Sequence, residues 1–286
     1  MNIQWYPGHM ARARRELTDS MKLVDVVIET LDARIPRASR NGDIDAVFAA
    51  KKRLLLLNKA DLASAEITDK WLEYYKQQGY SALAVNAKIP QDIKRVIGTV
   101  NRLAGDKIES KKQKGINATV RAMIVGIPNS GKSTFINAAA GQAKTKTEDR
   151  PGVTRGKQWV RAAAYLELLD TPGILPPRIT DERAALVLAF TGAVRDDILD
   201  GQTLILRFLE YMTRYHPKAL DDRYGIRADG CGGADEILSA ICVKRGFIMS
   251  GGVTDTVRGA AVILDEFRAG RLGRISLETP EDDEVL

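Results

Sequence analysis

The stretch GIPNSGKS, Gly126 to Ser133, follows a short apolar run, Ala122 to Val125, and leads into the helical segment FINAAAG, Phe135 to Gly141. Strand, glycine-rich loop and helix in that order form the setting a phosphate-binding loop requires. The glycines let backbone N–H groups close around phosphate oxygens at a helix N-terminus, where the peptide dipoles favour negative charge. Lys132 is placed to bridge the terminal phosphates and the Ser133 hydroxyl to ligate Mg²⁺. Asn129, Ser130, Gly131 and Thr134 complete the expected phosphate-binding set.

A phosphate loop says only that a nucleoside triphosphate is bound, so the base must be read elsewhere. Working back along the chain, NKAD at Asn58 to Asp61 directly follows the apolar run Leu54 to Leu57. A carboxylate at Asp61 can accept two hydrogen bonds from the N1–H and 2-amino group of guanine. Adenine offers no such pair, and an unpaired carboxylate is the kind of loss that yields strong discrimination. Asn58 and Lys59 belong to the same expected guanine-binding set. So do Asn86, Ala87 and Lys88, which follow the next apolar run and suit a loop whose backbone N–H at Ala87 reaches the guanine O6. That loop usually carries Ser where Asn86 stands, a departure the backbone contact tolerates.

Working forward, DTPG at Asp170 to Gly173 ends another apolar run, with Asp170 standing 38 residues after Lys132. Asp170 is expected to hold Mg²⁺ through water, and the Gly173 N–H to sense the third phosphate. Between these motifs PGVTRG supplies Thr154, the expected switch threonine, which coordinates Mg²⁺ only when that phosphate is present. The expected catalytic set is therefore Lys132, Thr154 and Gly173, joined below by His9.

Up to about residue 175, short runs rich in Val, Ile and Leu alternate with helical periodicity, the pattern of a mostly parallel sheet covered on both faces. Strands are predicted at Val24 to Leu31, Arg53 to Leu57, Ser81 to Val85, Val120 to Val125 and Tyr165 to Leu169. In such sheets ligands sit beyond the carboxyl ends of the strands, so the loops above should converge on one site. The basic stretch Lys107 to Gly115 reads as a link between a helix and the next strand. Beyond Ile179 the periodicity turns helical, with apolar stripes in Arg183 to Ala193, Leu204 to Tyr215, Ala234 to Val243 and Thr256 to Phe267. The predicted organisation is an α/β domain over residues 1–178, whose first 22 residues form a catalytic or RNA-contacting segment, a smaller all-helical domain over 179–280, and an acidic tail over 281–286.

A chain of 286 residues, 44% hydrophobic, can bury two cores. Its net charge of +6 conceals five acids among the last nine residues, and without them the surplus is +11. That surplus suits an anionic partner. Cys231 and Cys242 have neither the spacing of a zinc set nor that of a disulfide framework, and are expected to be buried thiols in a reducing cytoplasm. His216, before Pro217, is expected to cap a helix. The basic N-terminus has no apolar core behind it, and the run Ala184 to Phe190 is too short to span a bilayer, so no membrane role is expected.

A Ras-like chain runs phosphate loop, switch threonine, DxxG, NKxD, then the Ala-Lys loop, whereas this one begins with NKAD and ends with DTPG. It resembles the circularly permuted GTPases, which implies a rotated Ras-like P-loop domain and GTP-to-GDP hydrolysis. WYPGHMARA at Trp5 to Ala13, DARIPRASRN at Asp32 to Asn41 and DTVRGAAVILDEFRAGRLGRISLE near the C-terminus narrow this to a resemblance to the ribosome biogenesis GTPase A family over nearly the whole chain. What it implies is a switch for late assembly of the large ribosomal subunit that binds rRNA of the precursor particle with its ribosomal proteins, and no DNA. Ile174 stands where Ras-like proteins carry the water-orienting glutamine. A lone histidine is more often structural, and it is the resemblance that points to His9 as the substitute. Asn129 occupies the position that holds K⁺ in potassium-dependent GTPases of similar sequence, though a simple loop hydrogen-bonding role fits it as well. The rival readings are a GTP-gated RNA-binding scaffold with incidental turnover and a GTPase of RNA modification or membrane signalling.

Overall fold

The computed structural model describes residues 3–4, 15, 17–115, 118–141, 158–173, 175, 178–179, 181–194 and 200–281. The chain forms two compact units, one of Met1–Thr180 with Ser276–Leu286 and one of Asp181–Ile275.

In the first unit the strands are β1 (Ile3–Gln4), β2 (Val26–Asp32), β3 (Lys52–Asn58), β4 (Ser81–Ala84), β5 (Val120–Gly126), β6 (Gln158–Ala163), β7 (Leu166–Asp170) and β8 (Arg178–Ile179). The helices are α1 (Asp45–Phe48), α2 (Ala65–Gln77), α3 (Pro90–Leu103), α4 (Gly105–Gln113) and α5 (Lys132–Ala139). Six strands form one sheet in the order β4-β3-β2-β5-β7-β6, with only β6 antiparallel to its neighbour. Alternate residues feed opposite cores, as the two-residue period of a strand requires. Val26, Ile28, Leu54, Leu56, Ala122 and Ile124 pack with Val96 and Val100 of α3 and Phe135 of α5. On the other side Leu31, Leu55 and Leu57 meet Trp71 and Tyr75 of α2, while Val27, Met123 and Leu169 meet Leu17 and Met21.

The sheet order shows the rotation directly. β7 with DTPG, β5 with the phosphate loop and β3 with NKAD stand side by side but for β2, although the chain visits β3 first and β7 last. Their carboxyl ends point the same way because these strands are mutually parallel.

Three local expectations are corrected. Gln158–Ala163 is an edge strand that the sequence reading passed over; Trp159 and Arg161 lie toward solvent and only Val160 is deeply buried, so its pattern is faint. The stretch read as a link from Lys107 forms most of helix α4, polar but for Ile108, which packs against the core, with Lys107 anchored to Asp25 at 2.7 Å and to the Thr119 carbonyl at 2.8 Å. Residues 276–281, assigned above to the helical domain or its tail, pack in the first unit.

The second unit contains α6 (Glu182–Phe190), α7 (Gly201–Tyr215), α8 (Pro217–Tyr224), α9 (Ala234–Arg245) and α10 (Thr256–Arg268). Asp181, Asp200 and Asp255 each accept a backbone N–H at a helix start, satisfying donors the helix itself leaves open. Phe190, Phe208 and Phe267 form its aromatic centre, with ring centroids 5.2 and 5.0 Å apart. α8, not foreseen, begins at Pro217, whose ring suits a first helical turn. His216 ends α7 by donating its backbone N–H to Met212 at 2.7 Å. Cys242 is buried, but Cys231 is only half-buried, contrary to expectation. Among the described residues no helix is long and apolar enough to cross a membrane.

Candidate nucleotide site

The loop after β5 turns back on itself so that α5 starts at Lys132 with Gly131 before it in a left-handed conformation, φ 91°. A side chain there would be strained, and its Cβ would collide with the Asn58 amide. Gly126 is equally constrained, since a Cβ would run into the Thr30 carbonyl and hydroxyl. The Thr30 hydroxyl lies 3.0 Å from the Val125 carbonyl and 2.8 Å from Ser130 Oγ, which reaches the Ile127 carbonyl at 2.9 Å. Thr30 is therefore a brace for the phosphate loop that the motif reading did not single out.

Asn58 joins three loops. Its Nδ2 donates to the Ser130 carbonyl at 2.9 Å, and its Oδ1 accepts the Ala87 N–H at 3.2 Å. In this structure both groups of that side chain, and the Ala87 amide expected near guanine O6, are occupied in tying NKAD to the phosphate loop and to the Asn86 loop. The Asn86 loop is fixed in turn by the Asn86 N–H on Asp92 at 2.8 Å and the Lys88 N–H on Asn86 Oδ1 at 2.9 Å. Lys59 adopts φ 57°, an unusual value for a residue with a side chain, and its ammonium reaches Asp32 at 3.0 Å. Asp61, by contrast, is exposed.

On the phosphate side, Lys132 is buried and donates to the carbonyls of Gly126 at 3.1 Å and Ile127 at 2.8 Å. Burial pulls its pKa down to about 8, against the raising influence of Asp170. Asp170 is itself buried, burial raises its pKa against the lowering influence of Lys132, and its Oδ1 has no hydrogen-bond partner among the described residues. An unpaired buried carboxylate oxygen is costly, and a hard divalent cation is the partner that removes the cost. With the half-buried Ser133 in the first turn of α5, the donor set is all oxygen and fits Mg²⁺. Thr171 locks this end of β7 by donating to the Ile124 carbonyl at 2.6 Å. Gly173 packs so closely on Pro128 that an added Cβ would lie 2.9 Å from the Pro128 nitrogen. Asn129, with φ 58°, and Thr134 lie in the same loop and helix start. The fourteen expected site residues that are described thus lie in four loops at the carboxyl ends of β3, β4, β5 and β7, while His9 and Thr154 lie outside the described residues.

A family model described as 50S ribosome-binding GTPase matches residues 121–215. Ribosome biogenesis GTPase A of Bacillus cereus is 44% identical over 283 residues, covering 99% of this chain and 95% of that protein. This chain belongs to the ribosome biogenesis GTPase A family. Its fold is also that of the crystal structure of GNP-bound YlqF from Thermotoga maritima (TM-score 0.69, 31% identity, 95% of this chain and 99% of that one). GDP-bound YlqF of the same organism agrees comparably, with a TM-score of 0.68, 30% identity and 94% and 100% coverage. Ribosome biogenesis GTPase A membership makes the chain a GTP-hydrolysing protein of ribosome biogenesis.

Residues missed by the motif reading are Thr30, Asp32 and Arg34. DARIPRASRN marked the resemblance, but nothing in those letters says that Asp32 holds both Arg34 and Lys59, the second of which is 27 positions away.

Proposed function

We propose that the protein is a nucleotide-controlled switch for late assembly of the large ribosomal subunit, binding rRNA of the precursor in its GTP state and leaving after hydrolysis. The observation that carries this reading is Asn58, which ties the base loop and the phosphate loop into one cradle of a family named for ribosome biogenesis. Asp61 reads the guanine edge, and Lys132 with the N–H groups of residues 129–134 holds the phosphates. Mg²⁺ would be held by Ser133, by Asp170 through water and by Thr154, and when bound it neutralises charge developing on the transferred phosphoryl group. Gly173, touching Pro128, is placed to report the third phosphate from DTPG to the chain that follows.

His9 is the residue proposed to orient the attacking water. β1 pairs antiparallel with β8, Gln4 opposite Arg178, and His9 itself lies outside the described residues. His9→Ala should lose particle-stimulated turnover while keeping nucleotide affinity; full turnover removes the assignment. Asn129 is the proposed K⁺ ligand, and equal turnover in Na⁺ and K⁺ disposes of that role.

The decisive experiment is co-sedimentation with ribosomal subunits under GDP, GTP and a non-hydrolysable analogue. Preferential binding to large-subunit particles with the triphosphate is expected, and indifference to the nucleotide defeats the switch. Full assembly function in a variant that binds but does not hydrolyse GTP favours the scaffold reading instead.

A further inference from the structure

We propose that Asp32 is a positioning residue for the guanine-side loop, and that residues 276–280 form a strap that holds it in place and so tunes nucleotide affinity. The proposal rests on the reading that NKAD binds guanine. Asp32 ends β2 directly opposite Asn58 in the register of the sheet. Its Oδ1 accepts from Arg34 Nε at 2.9 Å and from the Arg34 backbone N–H at 3.1 Å. Its Oδ2 is shared between Arg34 Nη2 at 2.7 Å and Lys59 Nζ at 3.0 Å. The Ala33 N–H donates to the Asn58 carbonyl at 2.8 Å, so side chain and backbone grip NKAD together. Lys59 sits in a left-handed conformation that a side chain adopts only when its surroundings impose it, and the ion pair with Asp32 supplies such a constraint. Asp32 carries no contact to the base itself in this scheme; it acts through Lys59.

What holds Arg34 comes from the far end of the sequence. The Leu277 N–H donates to the Arg34 carbonyl at 2.8 Å. The Glu278 carboxylate accepts the N–H groups of Arg37 at 2.8 Å and Ala38 at 3.1 Å, while its backbone carbonyl accepts Trp71 Nε1 at 3.2 Å. Ser276 Oγ accepts the N–H of Ser64, three residues after Asp61, at 3.1 Å, and Arg37 Nη2 reaches the Pro280 carbonyl at 2.8 Å. The strap thus touches both flanks of NKAD, the loop after β2 and the start of α2. Leu277 and Glu278 are buried there, so docking is a packing event and not a surface graze. The helical unit is spliced into the chain between Thr180 and Ser276, which makes the strap its second covalent tether to the first unit.

The test uses the full chain with Asp32→Asn and Glu278→Gln. Affinities for GDP and ADP, turnover at saturating GTP and the unfolding midpoint are measured, together with amide exchange at Leu277 in the wild type. Losing a hydrogen bond to a charged group predicts GDP affinity lower by about tenfold or more in Asp32→Asn. The loss should fall on affinity more than on turnover at saturating GTP, as for contacts made equally in the ground and transition states. Glu278→Gln should move GDP affinity in the same direction by a smaller factor. Because coupling is reciprocal, GDP should slow exchange at Leu277 in the wild type. Unchanged GDP affinity in both variants, even with a lower unfolding midpoint, makes Asp32 and the strap merely structural and overturns the proposal. So does exchange at Leu277 that ignores GDP, a measurement that needs no variant to fold. Wild-type protein that prefers GDP no more than ADP sinks the guanine reading and the inference with it, whereas normal guanine preference with indifferent variants sinks the inference alone.

Discussion

The two halves of the nucleotide cradle are built differently. On the guanine side nearly every polar group already has a protein partner: Asn58 spans two loops, Asp32 holds Lys59 and Arg34, and Asn86 is fixed by Asp92. On the phosphate side the chemistry-bearing groups are buried at a cost. Lys132 is pulled down in pKa by burial and rests on carbonyls of its own loop, and Asp170 keeps a buried oxygen without a hydrogen bond among the described residues. One half is preorganised by the fold, and the other is proposed to be completed by a charged ligand. Selectivity should therefore depend on the first alone and affinity on both.

The largest expected effect breaks the guanine half. Asp61→Ala should lower the preference for GDP over ADP by about a thousandfold or more, since a site built around a hydrogen-bonding pair discriminates on that scale. Competitive titration of the two nucleotides measures it, and a preserved preference removes Asp61 from base recognition. Next, Lys132→Ala should weaken GTP binding by about a hundredfold, the worth of a charge-assisted contact, while leaving the guanine preference of the residual binding in place. Loss of both together would erase the division drawn here.

Gly131→Ala tests the seam between the halves. A left-handed backbone and a collision with the Asn58 amide should together cost about 1–3 kcal/mol of stability. Chemical denaturation without nucleotide reports it, and a neutral result would show that the loop re-forms without the Asn58 bridge. The smallest effect lies in the helical unit, where Glu266 accepts from Arg223, Tyr224 and Arg245. The Arg223 hydrogen bond, against burial, holds its carboxyl at about 2 instead of 4.5. A depressed carboxylate contributes stability above pH 4.5 and loses it as the pH falls toward 2. Acid unfolding of Glu266→Gln should lack that slope, with GDP affinity at neutral pH unaltered; a wild-type slope in the variant removes Glu266 as its source.

Much of this was legible in the letters because the physics is local. A phosphate loop needs small residues, a lysine and a hydroxyl in one continuous turn, so Gly126 to Ser133 announces itself, and five strands were placed from apolar runs because all but the half-buried β4 are mostly buried and have no polar face to hide them. The rotated order of the motifs was equally plain, since order is a property of sequence. Only tertiary structure decided what depends on residues far apart meeting: Thr30 bracing Ser130 across 100 positions, Asp32 gripping Lys59, and Leu277 and Glu278 returning past the helical unit to the loop after β2. An ion pair or a backbone hydrogen bond between distant segments leaves no periodicity or spacing behind, because the partner is chosen by the packed sheet and not by the neighbouring residues.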